Sequence, residues 1–488
     1  MLEIQKRFTN SFFVLLSLPA SAMGFALSVQ IAALSWILST RYHLEIEDIG
    51  LVWAAGPIAG IFGQVIIGVI SDKVWFWKGR RRPFIIIGGI LAGLMLLALP
   101  NIDVISGALG IDGILGVAIL VALTLDLAIN VSFNPTRSII ADVTPPGEKR
   151  TKGYTWMQTI SGTISVGAYV IGAVWDNYVL IYAGSVLVFL MAVVPTFFIE
   201  EPRQLPKSED EPEGEEVKFS LWRELNNIQP LWGFLLYAIY GMGLRLGGFE
   251  KDHFYVEYAC LALTILLIIR ALMQGESGKS RSEAGLIGFK KVLAAHSFTW
   301  VGVQTMFVYM FSYVQYKMPE MTDIEMGRVV SISFLILNAV AAILPAFVLE
   351  PITRKIGRVR THMWCIATMA VGYAGIWFLG ESPLVIYALM AILGIGWAAT
   401  VSLPFAIMSQ KVDQNKMGLY MGLFNLSVVL PQLVASLGVG EAVGKAPDKT
   451  LIFIICAATL AISAILWFFV RESKDEVTGI PAATGAAH

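Results

Sequence analysis

"VWAAGPIAGIFGQVIIGVISDKVWFWKGRRRPFI", residues 52–85, decides the fold. It opens as an apolar run, long enough to cross the roughly 30 Å of hydrocarbon in a bilayer. At its end stand one acid, Asp72, and then Lys73, Lys78, Arg80, Arg81 and Arg82. From Pro83 the apolar character resumes. Charges gathered in a short loop between two apolar runs mark a membrane surface. Within the first run Trp53, Pro57, Gly60, Gln64 and Ser71 fall on one helical face, so that span carries a polar stripe.

Working outward, the same kind of run recurs near 11–38, 48–71, 84–100, 113–135, 154–174, 179–198, 228–246, 255–273, 297–316, 328–350, 363–380, 384–408, 417–439 and 450–470, fourteen in all. Composition agrees. Of 488 residues 56% are hydrophobic and only 15% charged, and mean hydropathy is +0.69; a soluble chain carries more charge. Lys6, Arg7 and the "ASA" at 20–22 mimic a signal peptide, but the apolar run continues to Leu38, too far for a signal core, so a retained helix is expected. Basic loops at 73–82, 145–152, 278–291 and 353–360 alternate with connections poor in Lys and Arg, such as 101–112 and 380–383. The positive-inside rule then places both termini in the cytoplasm.

The chain divides around an acidic stretch, "EEPRQLPKSEDEPEGEEVK" at 200–218, which reads as a linker. The two sides repeat weakly. "GVISDKVWFWKGRRRP" (68–83) and "FVLEPITRKIGRVRTH" (347–362) each join an acid, a basic loop and a Gly-Arg. "VSFNP" (131–135) and "VSLP" (401–404) recur in later spans. Two similar halves around a linker mark transporters that alternate about a midplane site. The expected fold is an all-α membrane protein. A six-helix bundle fills 1–199, a linker 200–226, an inserted transmembrane hairpin 227–275 and a cytoplasmic loop 276–296. A second six-helix bundle fills 297–471, with a disordered tail over 472–488.

Chemistry concentrates in the spans. Asp126, Asn130, Asn134 and Arg137 are spaced by four, four and three residues, which puts them on one helical stripe. A charge in a lipid-spanning segment costs at least about 2.5–3.5 kcal/mol, so Asp126 reads as functional. Arg137 and Asp142 also fit the plainer role of anchors at a span end. Further amides lie within spans: Gln30, Gln64, Gln158, Gln304, Asn338, Asn425 and Gln432. Each alone is ordinary interhelical glue. Recurring in both halves, and with Trp53, they suit a cavity for a neutral sugar, since amides bind hydroxyls and rings stack on C–H faces. The loop residues Asp72, Gly79, Arg80, Arg81 and Arg82, with Glu350, Arg354, Gly357 and Arg358 in the repeat, read as gates.

Other classes lack support. The formal net charge is −1, with no basic cluster for nucleic acid. Cys260, Cys365 and Cys456 stand apart in apolar runs, with no disulfide or metal spacing. There is no phosphate-binding loop and no HExxH, and His43, His253, His296, His362 and His488 read as lying in loops or near span ends. No cofactor, metal or enzymatic activity is expected.

Several stretches carry a resemblance. "VWAAGPIAGIFGQVIIGVISDKVWFWKGRRRPFI" resembles the second-span signature of the major facilitator superfamily. "LDLAINVSFNPTRSIIADV" (125–143), "LNAVAAILPAFVLEPITRKIG" (337–357), "GIGWAATVSLPFAIMS" (394–409) and "MGLFNLSVVLPQLVAS" (421–436) are similar to its sucrose–proton symporter group, glycoside–pentoside–hexuronide cation symporter-like carriers. The resemblance implies a twelve-helix core, alternating access, and proton-coupled sugar uptake supported by an acid and an arginine of the fourth helix, here Asp126 and Arg137. The plant pattern has further acids after its seventh helix; "SYVQYKMPE" (312–320) has no matching acid within the helix. The inserted hairpin is also outside that pattern. The expected activity is import of a disaccharide such as sucrose or maltose by proton symport, by a monomer in the inner (plasma) membrane. A sodium-coupled symporter and a fourteen-span exporter of drugs or metabolites are the alternatives.

Overall fold

The computed structural model describes residues 3–60, 70, 74–111, 113–145, 148–203, 221–247, 249, 253–412 and 417–472. Among these, the long elements are all helices: α1 (Asn10–Thr40), α2 (Ile46–Trp53), α3 (Arg82–Ala98), α4 (Ile114–Val143), α5 (Glu148–Val174), α6 (Asn177–Phe198), α7 (Trp232–Gly247), α8 (Tyr255–Met273), α9 (Arg281–Lys317), α10 (Asp323–Leu344), α11 (Arg358–Leu379), α12 (Pro383–Ser409), α13 (Met417–Val434) and α14 (Leu451–Phe468). Lipid cannot satisfy backbone N–H and C=O groups, so a spanning segment closes its hydrogen bonds within itself. Eleven helices among the described residues are long and apolar enough to cross a membrane. Three expected runs fall elsewhere: α2 leads into residues largely outside the described set, α7 has only 16 residues, and 297–316 is the latter part of α9.

Local signals set the ends. Thr9 accepts from Phe12 N before α1, and Asp176 accepts from Val179 N before α6. Ser280 and Glu283 form a reciprocal capping box that starts α9. That box corrects one boundary. The stretch 276–296, expected as a loop, is from Arg281 onward the first half of a 37-residue helix. The paired lysines at 290 and 291 obscured it, but Lys291 is buried and held by Glu276 at 2.8 Å.

The chain forms two compact units. The first holds Met1–Leu44, Ala55–Phe219 and Thr322–Ile332; the second holds Glu45–Ala54, Ser220–Met321 and Ser333–His488. In the first, α1 packs on α5 and α6, and α3 packs on α4 and α6. In the second, α9 packs on α13 and α14, and α11 packs on α12 and α14. These are the same four pairings shifted by eight helices, the repeat that the sequence motifs suggest. Large apolar side chains fill each: Phe12, Phe13 and Trp36 in the first, Tyr309, Tyr373, Phe424 and Phe453 in the second.

The boundaries between units cut across the repeat. The opening turns of α10 join the first unit, where Trp36 Nε1 donates to Asp323 O (2.8 Å) and Ser331 Oγ donates to Asn177 Oδ1 (3.1 Å). Helix α2 joins the second unit, against the short helix Gly440–Lys445. There Gly50 leaves room for the Tyr309 hydroxyl, which donates to Ser436 O at 3.0 Å. Helices α7 and α8, the pair expected as an insertion, pack on each other; α7 lies against α13 and α8 against α9. Gly233 lets Thr264 approach the α7 backbone closely.

Candidate functional site

In the first unit the polar stripe of α4 folds as one continuous helix, with Pro135 inside it. Asp126 is buried, twelve residues from the helix start. Gln30, two thirds of the way along α1, donates from Nε2 to Asp126 Oδ2 at 3.0 Å. The carboxyl also lies over Gly56, where a Cβ would stand 3.3–3.4 Å away, so a larger residue would press on the acid. Asn130 donates from Nδ2 back to the Asp126 carbonyl at 2.8 Å, which fixes that amide against its own helix. Asn134 is half-buried one turn on. Arg137 is exposed, its guanidinium 4.8 Å over the Phe133 ring. Eleven residues of helix place it roughly 16 Å along the axis from Asp126, so the two do not pair.

Other expected residues of this unit are less gathered. Gln158 is exposed on α5. Trp53 is buried but belongs with α2 to the second unit, not to the Asp126 centre. Gln64 and Asp72 lie outside the described residues.

The second unit brings amides and aromatic rings together. Gln432 on α13 donates to Gln304 Oε1 on α9 at 3.2 Å. Asn338 on α10 accepts from Trp397 Nε1 at 3.2 Å and donates to Phe334 O at 2.9 Å. Trp300, one turn before Gln304, meets Trp397 edge to face at 6.0 Å. Asn425 is half-buried on α13. His296 is not at a span end but inside α9, buried, with Nε2 accepting from Trp300 Nε1 at 2.9 Å and its ring stacked on Phe424 at 4.8 Å. His362 is buried too, edge-on to Trp467 at 4.4 Å.

The loop residues read as gates occupy two matching corners. In the first unit Glu201, just past α6, accepts from the backbone N–H of Arg80, Arg81 and Arg82 at 2.7–3.1 Å. In the second, Glu472, just past α14, accepts from Arg358 N at 2.8 Å and Val359 N at 3.1 Å. Each carboxylate caps a helix N-terminus, where free N–H groups and the helix dipole favour an anion. The glycines of the two Gly-Arg motifs make the room. A Cβ on Gly79 would meet Glu201 Oε1 at 2.7 Å; one on Gly357 would meet Glu472 at 2.6 Å. Gly357 also has φ +89°, which strains any other residue.

Beyond that cap the corners differ. Arg81 Nε bonds Asp142 Oδ2 at 3.2 Å and Arg80 reaches it at 3.6 Å, tying this loop to the end of α4. Arg82 is buried and donates to Thr196 O and Phe197 O. Glu350 and Arg354 instead pair within one short helix, both exposed. The sequence pattern missed Glu201 and Glu472, although "FIEEP" (198–202) and "FVRES" (469–473) place an acid at the same point of each half. It also missed Trp300, Trp397 and His296, because single aromatic residues in apolar runs read as core.

This fold and these buried polar centres define a helical membrane transporter, and comparison names its family. The major facilitator superfamily model matches residues 16–256 and 254–436; the chain belongs to that superfamily and is a multi-pass transporter, not an enzyme. Among curated proteins it is similar to "Sucrose transport protein SUC4" of Arabidopsis thaliana, 23% identical, with 84% of this chain and 80% of that protein covered. It is 26% identical to the "General alpha-glucoside permease" of Schizosaccharomyces pombe over 42% of this chain and 40% of that one. Among solved structures, the inward-open xylose transporter XylE of E. coli superposes with TM-score 0.61 at 14% identity, covering 95% of this chain and 97% of that one. The peptide transporter PepTSo superposes with TM-score 0.66 at 13% identity, covering 95% and 98%. These likenesses are to the fold.

Proposed function

We propose that the protein imports an α-glucosidic disaccharide, sucrose or maltose in type, across the inner membrane by proton symport, with both termini in the cytoplasm and Asp126 as the proton site. The observation that carries this is the buried Asp126 carboxyl, midway along its helix, with the Gln30 amide on one oxygen and Gly56 against it. A lone carboxylate away from water is costly, and taking up a proton removes that cost. Ionised, the acid accepts from Gln30 Nε2. Protonated, it offers an O–H, and the Gln30 amide can turn its oxygen to receive it. One partner thus serves both protonation states. Gln30 then acts on the acid rather than on sugar. The names of the similar proteins support a sucrose or α-glucoside cargo. The amide and indole side chains of the second unit supply the donors, acceptors and flat faces that a neutral sugar needs.

Alternating access requires contacts that hold in one state and release in another. The corner of Arg80, Arg81, Asp142 and Glu201 has that composition. So do the bonds of the α10 start to Trp36 and Asn177. The test is uptake of labelled sucrose and maltose into proteoliposomes. Accumulation above the external concentration is expected under an inward proton gradient, and none under a sodium gradient alone. Accumulation under sodium at equal pH would replace the proton with sodium; failure to move either sugar would remove the cargo.

A further inference from the structure

In the second unit Trp300 and Trp397 lie near the midpoints of α9 and α12, and Asn338 and Gln432 lie toward the ends of α10 and α13. Trp397 lies fourteen residues from the start of α12 and twelve from its end. Trp300 lies seventeen residues before the end of α9, and Asn338 fifteen after the start of α10. Carriers with inverted repeats bind their cargo at this depth. Both indoles are half-buried, so part of each ring is open. Their polar edges, however, are occupied. Trp300 Nε1 donates to His296 Nε2 and Trp397 Nε1 donates to Asn338 Oδ1. What they leave to a ligand is ring surface. The rings meet at 82°, and Phe307 meets Trp397 edge-on at 5.4 Å. Two near-perpendicular aromatic surfaces thus meet, with Gln304, one helical turn from Trp300, bonded to Gln432. A pyranose ring has matching chemistry: apolar C–H faces and a rim of hydroxyls that amides satisfy.

We propose that Trp300 and Trp397 are the stacking platform for one pyranose ring of the cargo, with Gln304 and Gln432 taking its hydroxyls. His296 and Asn338 are positioning residues that hold the two indoles by their N–H groups. This rests on the disaccharide reading above. It also reassigns Asn338, whose amide oxygen serves Trp397 and whose N–H serves Phe334, away from direct sugar contact. His296 meets Trp300 through its Nε2 at 2.9 Å. It is buried, stacked on Phe424 at an interplanar angle of 15°, and accepts at Nε2, so its proton sits on Nδ1.

The test is sugar exchange at equal pH on both sides, in proteoliposomes holding the full chain, with sucrose and maltose as probes. Exchange needs no gradient and isolates binding and turnover from proton drive. Trp300→Leu and Trp397→Leu keep apolar bulk but lose the flat face. Each is expected to raise KM about tenfold, the worth of an aromatic contact near the top of its usual range, with kcat little changed. Trp300→Phe keeps a face and should stay within about threefold of the wild type. His296→Leu should raise KM several-fold, and His296→Gln, which restores an acceptor, should recover most of that loss. A merely structural His296 would instead lower the yield of folded protein and give no KM-specific rescue by glutamine. If the wild type exchanges neither sugar, the cargo reading fails. If it exchanges them and both leucine variants keep the wild-type KM, the platform alone is overturned.

Discussion

Midway along α4 in the first unit stands a carboxyl on an amide, Asp126 on Gln30. In the second unit stand indoles and amides: Trp300, Trp397, Gln304 and Gln432. The helices around both pack in the same four pairs. Aligning Val131–Ser132 with Val401–Ser402, an offset of 270, puts Asp126 opposite Gly396, the neighbour of Trp397. One scaffold therefore carries a titratable group in one copy and an aromatic face in the other. A coupled carrier needs a group that changes charge and a surface that recognises a neutral molecule, and under the proposed function the repeat separates them. The two corners differ in the same way. Both cap a helix with a glutamate; among the described residues the first adds pairing of Arg80 and Arg81 with Asp142, and the second an exposed Glu350–Arg354 pair.

This separation is open to attack at several strengths. The largest effect is expected from Asp126→Ala. It removes the proton site and strips Gln30 Nε2 of its acceptor in a buried place, a loss of about 1–3 kcal/mol besides the chemistry. Initial rates of gradient-driven uptake should fall about a hundredfold, equivalent to about 2.7 kcal/mol. Next, Gln30→Leu should slow uptake about tenfold while leaving sugar KM within about threefold, because a hydrogen bond to a charged group is worth about 1.5–3 kcal/mol and this one serves the acid. A KM rise as large as the rate loss would return Gln30 to the sugar site.

Smaller effects separate the two corners. Glu201→Ala and Glu472→Ala each remove a helix cap, worth about 0.5–2 kcal/mol. Glu201 accepts from three backbone N–H groups and Glu472 from two, so thermal unfolding in detergent should drop further for Glu201→Ala. Equal drops would make the corners equivalent. Smallest of all, Glu350→Gln breaks an exposed pair within one helix, which is worth no more than about 0.5 kcal/mol. Uptake and melting should stay at wild-type values. A transport defect there would give that pair a gating role that its exposed, local geometry does not suggest.

Much of this was legible in the sequence because lipid imposes simple rules. Long apolar runs and bunched charges mark spans and loops, and an acid in such a run stands out by its cost. Asp126, its stripe with Asn130, and the Gly-Arg repeat are of that kind. The reading weakened where partners lie far apart in the chain. Gln30 and Asp126 are separated by 96 residues and Gln304 and Gln432 by 128, so periodicity along one helix cannot pair them. It failed where a side chain with a proposed role is itself apolar. Trp300 and Trp397 look like core until their N–H partners show which part of each ring is left open. The loop expected at 276–296 failed for a third reason: Lys291 reads as solvated until Glu276 is seen beside it.

The central claim is that Asp126 couples the proton to the cargo and does not itself hold the sugar. Asp126→Asn keeps the shape of the neutral acid, and its amide can bond Gln30, but it exchanges no proton. Sucrose accumulation under an inward proton gradient and sucrose exchange at equal pH, measured in the same proteoliposomes, decide the matter. Exchange is expected to stay within about threefold of the wild type, with accumulation reduced to the external concentration. Full pH-driven accumulation by Asp126→Asn would contradict it and leave the carboxyl as a structural contact between helices.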